Sequence, residues 1–149
     1  MSYNPNNPNG QATAANSAPV VLASNVTSSF SIAEATTGGA TTFHLASAAG
    51  QNITQVKNSA GKITGWYIYN SNGSARKVNF YNVLSAPTVG TTTLLFSIVI
   101  PALSAANCPF PAGIDFSAGL YLSTTTALAD NDASTNVAAN DLIINIFYK

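Results

Sequence analysis

The sequence predicts an all-β protein: an antiparallel β-sandwich, jelly-roll-like, of about eight strands, with an extended N-terminal arm. Three observations carry this. Short segments rich in β-branched and aromatic residues recur at turn-rich spacing through the second two-thirds of the chain, the pattern of a sandwich or barrel. Helical evidence is poor: the Ala-rich stretches 46–49 and 102–106 are short and lie among Gly, Ser, Asn and Pro, so they support a turn of helix at most. The first 41 residues are almost entirely Asn, Pro, Ala, Ser, Thr and Gly, the composition of an arm rather than a core. The expected division is therefore an arm over 1–41 and a sandwich over 42–149.

The arm reads "MSYNPNNPNGQATAANSAPVVLASN" at its start. Pro5, Pro8 and Pro19 favour an extended backbone. A chain of this kind builds no core of its own, so it is expected to bind elsewhere. Its backbone groups suit a sheet edge or groove on another subunit. Pro19, Val20, Val21 and Leu22 would be the apolar anchor, and Val20 to Ala23 could add a strand. The competing expectation is that the arm folds back over its own sandwich.

The strands follow in order. "TFHLAS" (42–47) and "NITQVKN" (52–58) come first, with Gly50 between them and Gly61 after. "ITGWYIYN" (63–70) places Trp66, Ile68 and Asn70 on one face and Gly65, Tyr67 and Tyr69 on the other. "RKVNFYNV" (76–83) sets Val78 and Phe80 against Lys77, Asn79 and Tyr81. Between these two lies "SNGS" (71–74). Asn72-Gly73 tolerates positive φ at both positions, so the pair is expected to form a β-hairpin. "TTLLFSIVI" (92–100) is an apolar run of strand length ended by Pro101. "GIDFS" (113–117) is short, "LYLSTTT" (120–126) alternates, and "LIINIFYK" (142–149) reads as a central strand covered on both faces.

Composition narrows the function. The chain has 149 residues, one ordinary domain in length, and only 7% are charged. Five Lys+Arg balance five Asp+Glu, so neither a basic field for nucleic acid nor an acidic one is expected. An uncharged surface at zero net charge associates readily, which favours a subunit packed against others, a homo-oligomer. The one cysteine, Cys108, permits no intrachain disulfide and is expected to be a small buried hydrophobe. No signal peptide and no apolar run of membrane-spanning length is legible, so neither export by the usual route nor a membrane is expected.

Chemistry is sparsely represented. His44 is the sole histidine and falls opposite Phe43 and Leu45. The carboxylates Glu34, Asp115, Asp130, Asp132 and Asp141 show no acid–base pairing pattern, and no nucleophile elbow, phosphate loop or dinucleotide fingerprint occurs. In 130–141, Asp130, Asp132, Ser134, Asn136 and Asp141 match calcium-loop positions, but Thr135 stands where the loop needs Gly and neither flank is helical. Catalytic residues, metal and cofactor are therefore expected to be none. Trp66, Tyr67 and Tyr69 are the possible glycan-stacking residues, with the reservation that half of such a strand must face the core.

"GQATAANSAPVVLASN" resembles a segment near the start of structural proteins of tailed bacteriophages. "GWYIYNSNGSARKVNFYNVLSAPTVGTTT", "FPAGIDFSAGLYLSTTTALADND" and "ANDLIINIFYK" resemble small β-proteins encoded among phage virion genes. The resemblance implies a particle component of β-sandwich subunits, often trimeric, with no catalytic residues. The resulting expectation is a capsid decoration (cement) subunit, made in a bacterial cytoplasm, resident in the virion and bound to the major capsid protein or other virion proteins. The alternative is a head-fibre, tail-fibre or tail-tip module that binds host surface glycans.

Overall fold

The computed structural model describes residues 39–132 and 136–149. The expected anchor at Pro19, Val20, Val21 and Leu22 lies outside them, as does the arm up to residue 38. Eight strands are present: β1 (Thr41–Ala46), β2 (Thr54–Lys57), β3 (Gly61–Asn70), β4 (Arg76–Asn82), β5 (Phe96–Ile100), β6 (Ser104–Phe116), β7 (Leu120–Thr125) and β8 (Leu142–Tyr148). They form two four-stranded sheets, ordered β1-β8-β3-β6 and β2-β7-β4-β5. Every neighbouring pair is antiparallel. Among sheet neighbours only β4 and β5 are consecutive in the chain; the other connections cross between sheets. This is the jelly roll, a two-sheet sandwich of eight strands.

Period-two alternation builds the core. The inward residues Ile68, Ile144 and Ile146 of one sheet and Val78, Phe80 and Leu122 of the other are fully buried. Phe43 and Leu45 pack onto them from β1. Burial of each such side chain stabilises the fold by about 1.5–3 kcal/mol before entropy is counted. Phe80 stacks on Phe96 with ring centroids 4.5 Å apart, Phe96 meets Trp66 at 5.7 Å, and Trp66 meets Phe110 at 5.2 Å. This chain of rings runs between the two sheets.

Four local expectations are corrected. β3 and β4 do not form a hairpin, because they lie in different sheets. Neither Asn72 nor Gly73 takes the positive φ that a tight hairpin turn requires; the segment is a crossover. The expected strand over 92–100 begins only at Phe96, since Thr91 and Thr92 donate their N–H groups to Thr88 O in a turn. The Ala-rich stretch 102–106 is not helical. Ala102 and Leu103 form a turn and residues 104–106 open β6, whose pairing with β3 overrides the weak local preference. β8 is central, as expected, but covered only on its inner face: Ile144 and Ile146 are buried while Phe147 is 36% exposed.

β6 reaches 13 residues despite Pro109 and Pro111. It is an edge strand, where a missing N–H can face away from the ladder. The ladder also breaks there. Gly65 pairs with Pro109 and Ile63 with Ile114, so Phe110, Pro111, Ala112 and Gly113 bulge opposite Thr64 alone. Gly113 turns the bulge with φ +76°, and the excursion carries Phe110 onto Trp66.

Candidate functional site

The register of the β1-β8-β3-β6 sheet fixes what its outer face presents. His44, Asn145, Tyr67 and Asn107 align in one row across the four strands. Thr42, Phe147, Gly65 and Pro109 form the adjacent row. Neither row contains a Lys, Arg, Asp or Glu. The nearest charged pair on β3 and β6, Lys62 with Asp115 at 2.6 Å, is solvent-exposed and self-neutralising.

A cleft of about 430 Å³ opens on this face, lined by Thr64, Gly65, Tyr67, Asn107, Pro109 and Phe147 among others. Its floor is Gly65. A Cβ there would lie 2.9 Å from the Cys108 carbonyl oxygen and 3.4 Å from Pro109 Cα, so only glycine lets the β6 backbone approach this closely. The walls are Tyr67, 43% exposed, and Phe147, 36% exposed. Asn107 is exposed, and its side-chain amide makes no hydrogen bond with a described residue. Asn145 is held in place: its Oδ1 is hydrogen-bonded to His44 Nδ1 at 2.9 Å, and its Nδ2 donates to the Tyr67 carbonyl at 3.4 Å.

The sequence-expected aromatics therefore separate. Tyr67 stands on the open face. Tyr69 shares that face but is half-buried. Trp66 points inward and spends its ring on Phe96 and Phe110, so it is no stacking platform. Phe147, Pro109 and Asn107 come to the cleft only through strand register, which sequence reasoning missed. One signal was available: a glycine inside a β-rich run marks close backbone approach.

The carboxylates have structural partners. Asp141 Oδ2 accepts from Arg76 Nε at 2.7 Å and from the Ala138 N–H at 3.1 Å, while Oδ1 accepts from Asn72 Nδ2 at 3.0 Å. Both ionic side chains are about nine-tenths buried. Burial pushes the Asp141 pKa up, but the Arg76, Ala138 and Asn72 hydrogen bonds outweigh it and hold the carboxyl below its usual value. Asp130 pairs with the Lys77 ammonium, which also donates to Leu128 O at 3.1 Å. Asp130 and Asp141, the first and last residues of the calcium-like spacing, are thus each paired with a cation of the protein. No group of three or more His, Cys, Asp and Glu that could hold a metal occurs among the described residues. Nor does any helix among them have the length and apolarity to cross a membrane.

A second surface feature is the β5 edge. β5 reads Phe-Ser-Ile-Val-Ile, with neither charge nor proline. The other edges differ: β6 carries two prolines and a bulge, β2 is four residues long with a register shift, and β1 presents Thr42 and His44 outward. Within β5, Val99 is 46% exposed and pairs in register with Lys77, whose ammonium reaches the carbonyl of Leu128, itself 49% exposed. Past Pro101, Leu103 is 66% exposed and takes φ +50°.

Neither a family model nor a curated protein matches the chain. The crystal structure of PirA matches over 78% of this chain and 98% of that chain, at 12% identity and a TM-score of 0.35. That likeness is too distant to bear on function.

Proposed function

We propose that the chain is a structural subunit of a bacteriophage particle, a decoration or cement protein that binds the major capsid shell. The observation that carries this reading is the β5 edge. An apolar edge strand without charge, proline or bulge is a template for strand addition by another chain. Exposed Val99, Leu103 and Leu128 would widen the contact. The low charge of the whole chain supports the same reading, since it removes the repulsion that keeps free monomers apart. The jelly roll itself does not choose a function, because one fold hosts many. Individually weak contacts of this kind add through multivalency on a repetitive lattice.

The test is location. Antibody raised against the chain should label the capsid shell of particles from the phage that encodes it, in electron micrographs. Particles carrying Val99→Lys, which places a charge on the edge, should show reduced occupancy. Absence of the protein from purified particles would reject the reading. A second reading, a head-fibre, tail-fibre or tail-tip module for host attachment, is favoured by one observation, the open cleft between Tyr67 and Phe147. Label confined to fibres or tail would select it.

A further inference from the structure

We infer that the cleft over Gly65 is a binding site for a neutral pyranose sugar, stacked between Tyr67 and Phe147. This deepens the attachment reading, but it concerns the isolated molecule and holds wherever on a particle the chain resides.

The chemistry of the lining selects the ligand class. A pyranose ring has an apolar C–H face and a rim of hydroxyls. The cleft offers the complement of each. The rings of Tyr67 and Phe147 stand exposed beside a floor that has no side chain of its own, because Gly65 cannot carry one there, and Phe147 Cδ2 lies 3.6 Å from where its Cβ would be. Aromatic rings buried at the base of a sheet would be core; these two face outward on neighbouring strands, diagonal to one another in the β3–β8 ladder. Polar groups able to meet hydroxyls sit at the rim. Asn107 supplies an amide with unused donor and acceptor capacity among the described residues. Thr64 adds a hydroxyl to the lining, whereas Asn145, across Tyr67 in the same row and held by His44 and the Tyr67 carbonyl, stands outside it.

Charge excludes the rivals. No Lys, Arg, His, Asp or Glu lines the cleft, so it offers no cation to a phosphate, a sulfated sugar or a uronic or sialic acid, and these are not its preferred ligands. The volume of about 430 Å³ lies toward the small end of ligand pockets, about 300–1,000 Å³. That fits a terminal sugar residue rather than a long chain laid along the sheet.

The experiment is a titration of the isotopically labelled full chain, followed by amide nuclear magnetic resonance. The probes are glucose, galactose, N-acetylglucosamine and their disaccharides, with glucuronic acid as the charged control. Binding of at least one neutral probe should shift the amides of Gly65, Tyr67, Asn107 and Phe147 together, and glucuronic acid should bind more weakly. Tyr67→Ala should weaken binding about tenfold, Asn107→Ala about threefold, and Tyr67→Phe should leave stacking intact. Both positions are exposed, and circular dichroism of each variant checks that the sandwich persists. No shift with any neutral probe up to its solubility limit would overturn the inference. So would shifts that map away from the cleft, unchanged affinity in Tyr67→Ala, or tighter binding of glucuronic acid. Because purified protein is titrated, failure here leaves the particle location untouched, and absence from the particle leaves the titration untouched.

Discussion

On the outward side of the β1-β8-β3-β6 sheet, Tyr67 is 43% exposed and His44, Asn107 and Phe147 also meet solvent; on the outward side of the β2-β7-β4-β5 sheet, Tyr81 and Ser123 are fully buried and Lys77 is 1% exposed. Alternation is equally regular in both. It tells which residues point away from the core, but not whether anything lies over them. On the second sheet the consequence is a polar layer that must satisfy itself. The Tyr81 hydroxyl is 3.0 Å from Ser123 Oγ, and Asn79 Nδ2 donates to the same oxygen at 3.4 Å. Asn79 Oδ1 has no hydrogen-bond partner among the described residues. An outward position is thus free for ligand recognition on one sheet and committed to structure on the other.

The largest effect should come where the two sheets are tied together. Arg76 opens β4 in one sheet, and Asp141 immediately precedes β8 in the other. Asp141→Ala leaves a buried guanidinium without its counter-ion and frees the Asn72 amide and the Ala138 N–H. The expected loss is about 3–5 kcal/mol in urea unfolding. The pH dependence has a definite sign. The folded carboxyl has a depressed pKa, so its contribution is present above the unfolded value near 4 and fades as pH falls through the folded value. Wild type should lose stability on acidification below about pH 4 more steeply than Asp141→Asn; parallel curves would sink this assignment.

Next comes an asymmetric ion pair. The Lys77 side chain is 1% exposed, whereas that of Asp130 is 72% exposed. Removing the acid strands a buried ammonium with only the Leu128 carbonyl. Removing the base leaves a hydrated carboxylate. Asp130→Ala should therefore cost about 2 kcal/mol and Lys77→Met about half as much. On the open face, Lys62 pairs with Asp115 at 50% and 75% exposure, and Lys62→Met should stay within about 0.5 kcal/mol. Equal losses at Lys77 and Lys62 would mean that the contrast between the faces has no energetic content.

The comparison sharpens to a single oxygen atom in two tyrosines. Tyr81→Phe leaves Ser123 Oγ short of a partner and should cost about 1 kcal/mol; Tyr67→Phe should cost nothing measurable. Burial raises the Tyr81 pKa above 10, against the opposing hydrogen bonds from Ser123 and Asn79. A raised folded value means its contribution is intact below about pH 10 and is lost as pH climbs through the folded value. Alkaline unfolding should therefore shift to higher pH in Tyr81→Phe, measured by the phenolate absorbance of the remaining tyrosines and by circular dichroism.

These contrasts also mark what was legible in the chain. Strand content is local: "ITGWYIYN" and "LIINIFYK" announce themselves through β-branched and aromatic side chains, and six of the eight strands lie within two residues of their expected bounds at both ends. β5 and β6 missed for opposite reasons. A turn at Thr88–Thr92 consumed the front of one apolar run, and pairing with β3 recruited an Ala-rich stretch into the other. Sheet membership is not local. Which strand Gly65 sits beside depends on β8, some 80 residues later in the chain, so Phe147 could not be assigned to the cleft from spacing. Nor could the burial of Tyr81, since Tyr67 and Tyr81 occupy equivalent places in equally alternating segments.

The smallest effect tests the most instructive misreading. A tight hairpin at Asn72-Gly73 would need positive φ at both residues, and an alanine at the second would then cost about 1 kcal/mol or more. In the crossover Gly73 has no positive φ, and a Cβ there would meet nothing within 4 Å. Alanine should instead stabilise the fold by about 0.5 kcal/mol, because the unfolded chain loses freedom that the folded chain never used. The substitution leaves the Asn72 side chain on Asp141, beside the Arg76–Asp141 pair that ties the two sheets. A gain in the urea midpoint at constant slope would place the β3–β4 connection among inter-sheet crossovers in solution. A loss would restore the hairpin, and with it a strand order in which Tyr67 and Tyr81 belong to one sheet and the contrast between the faces disappears.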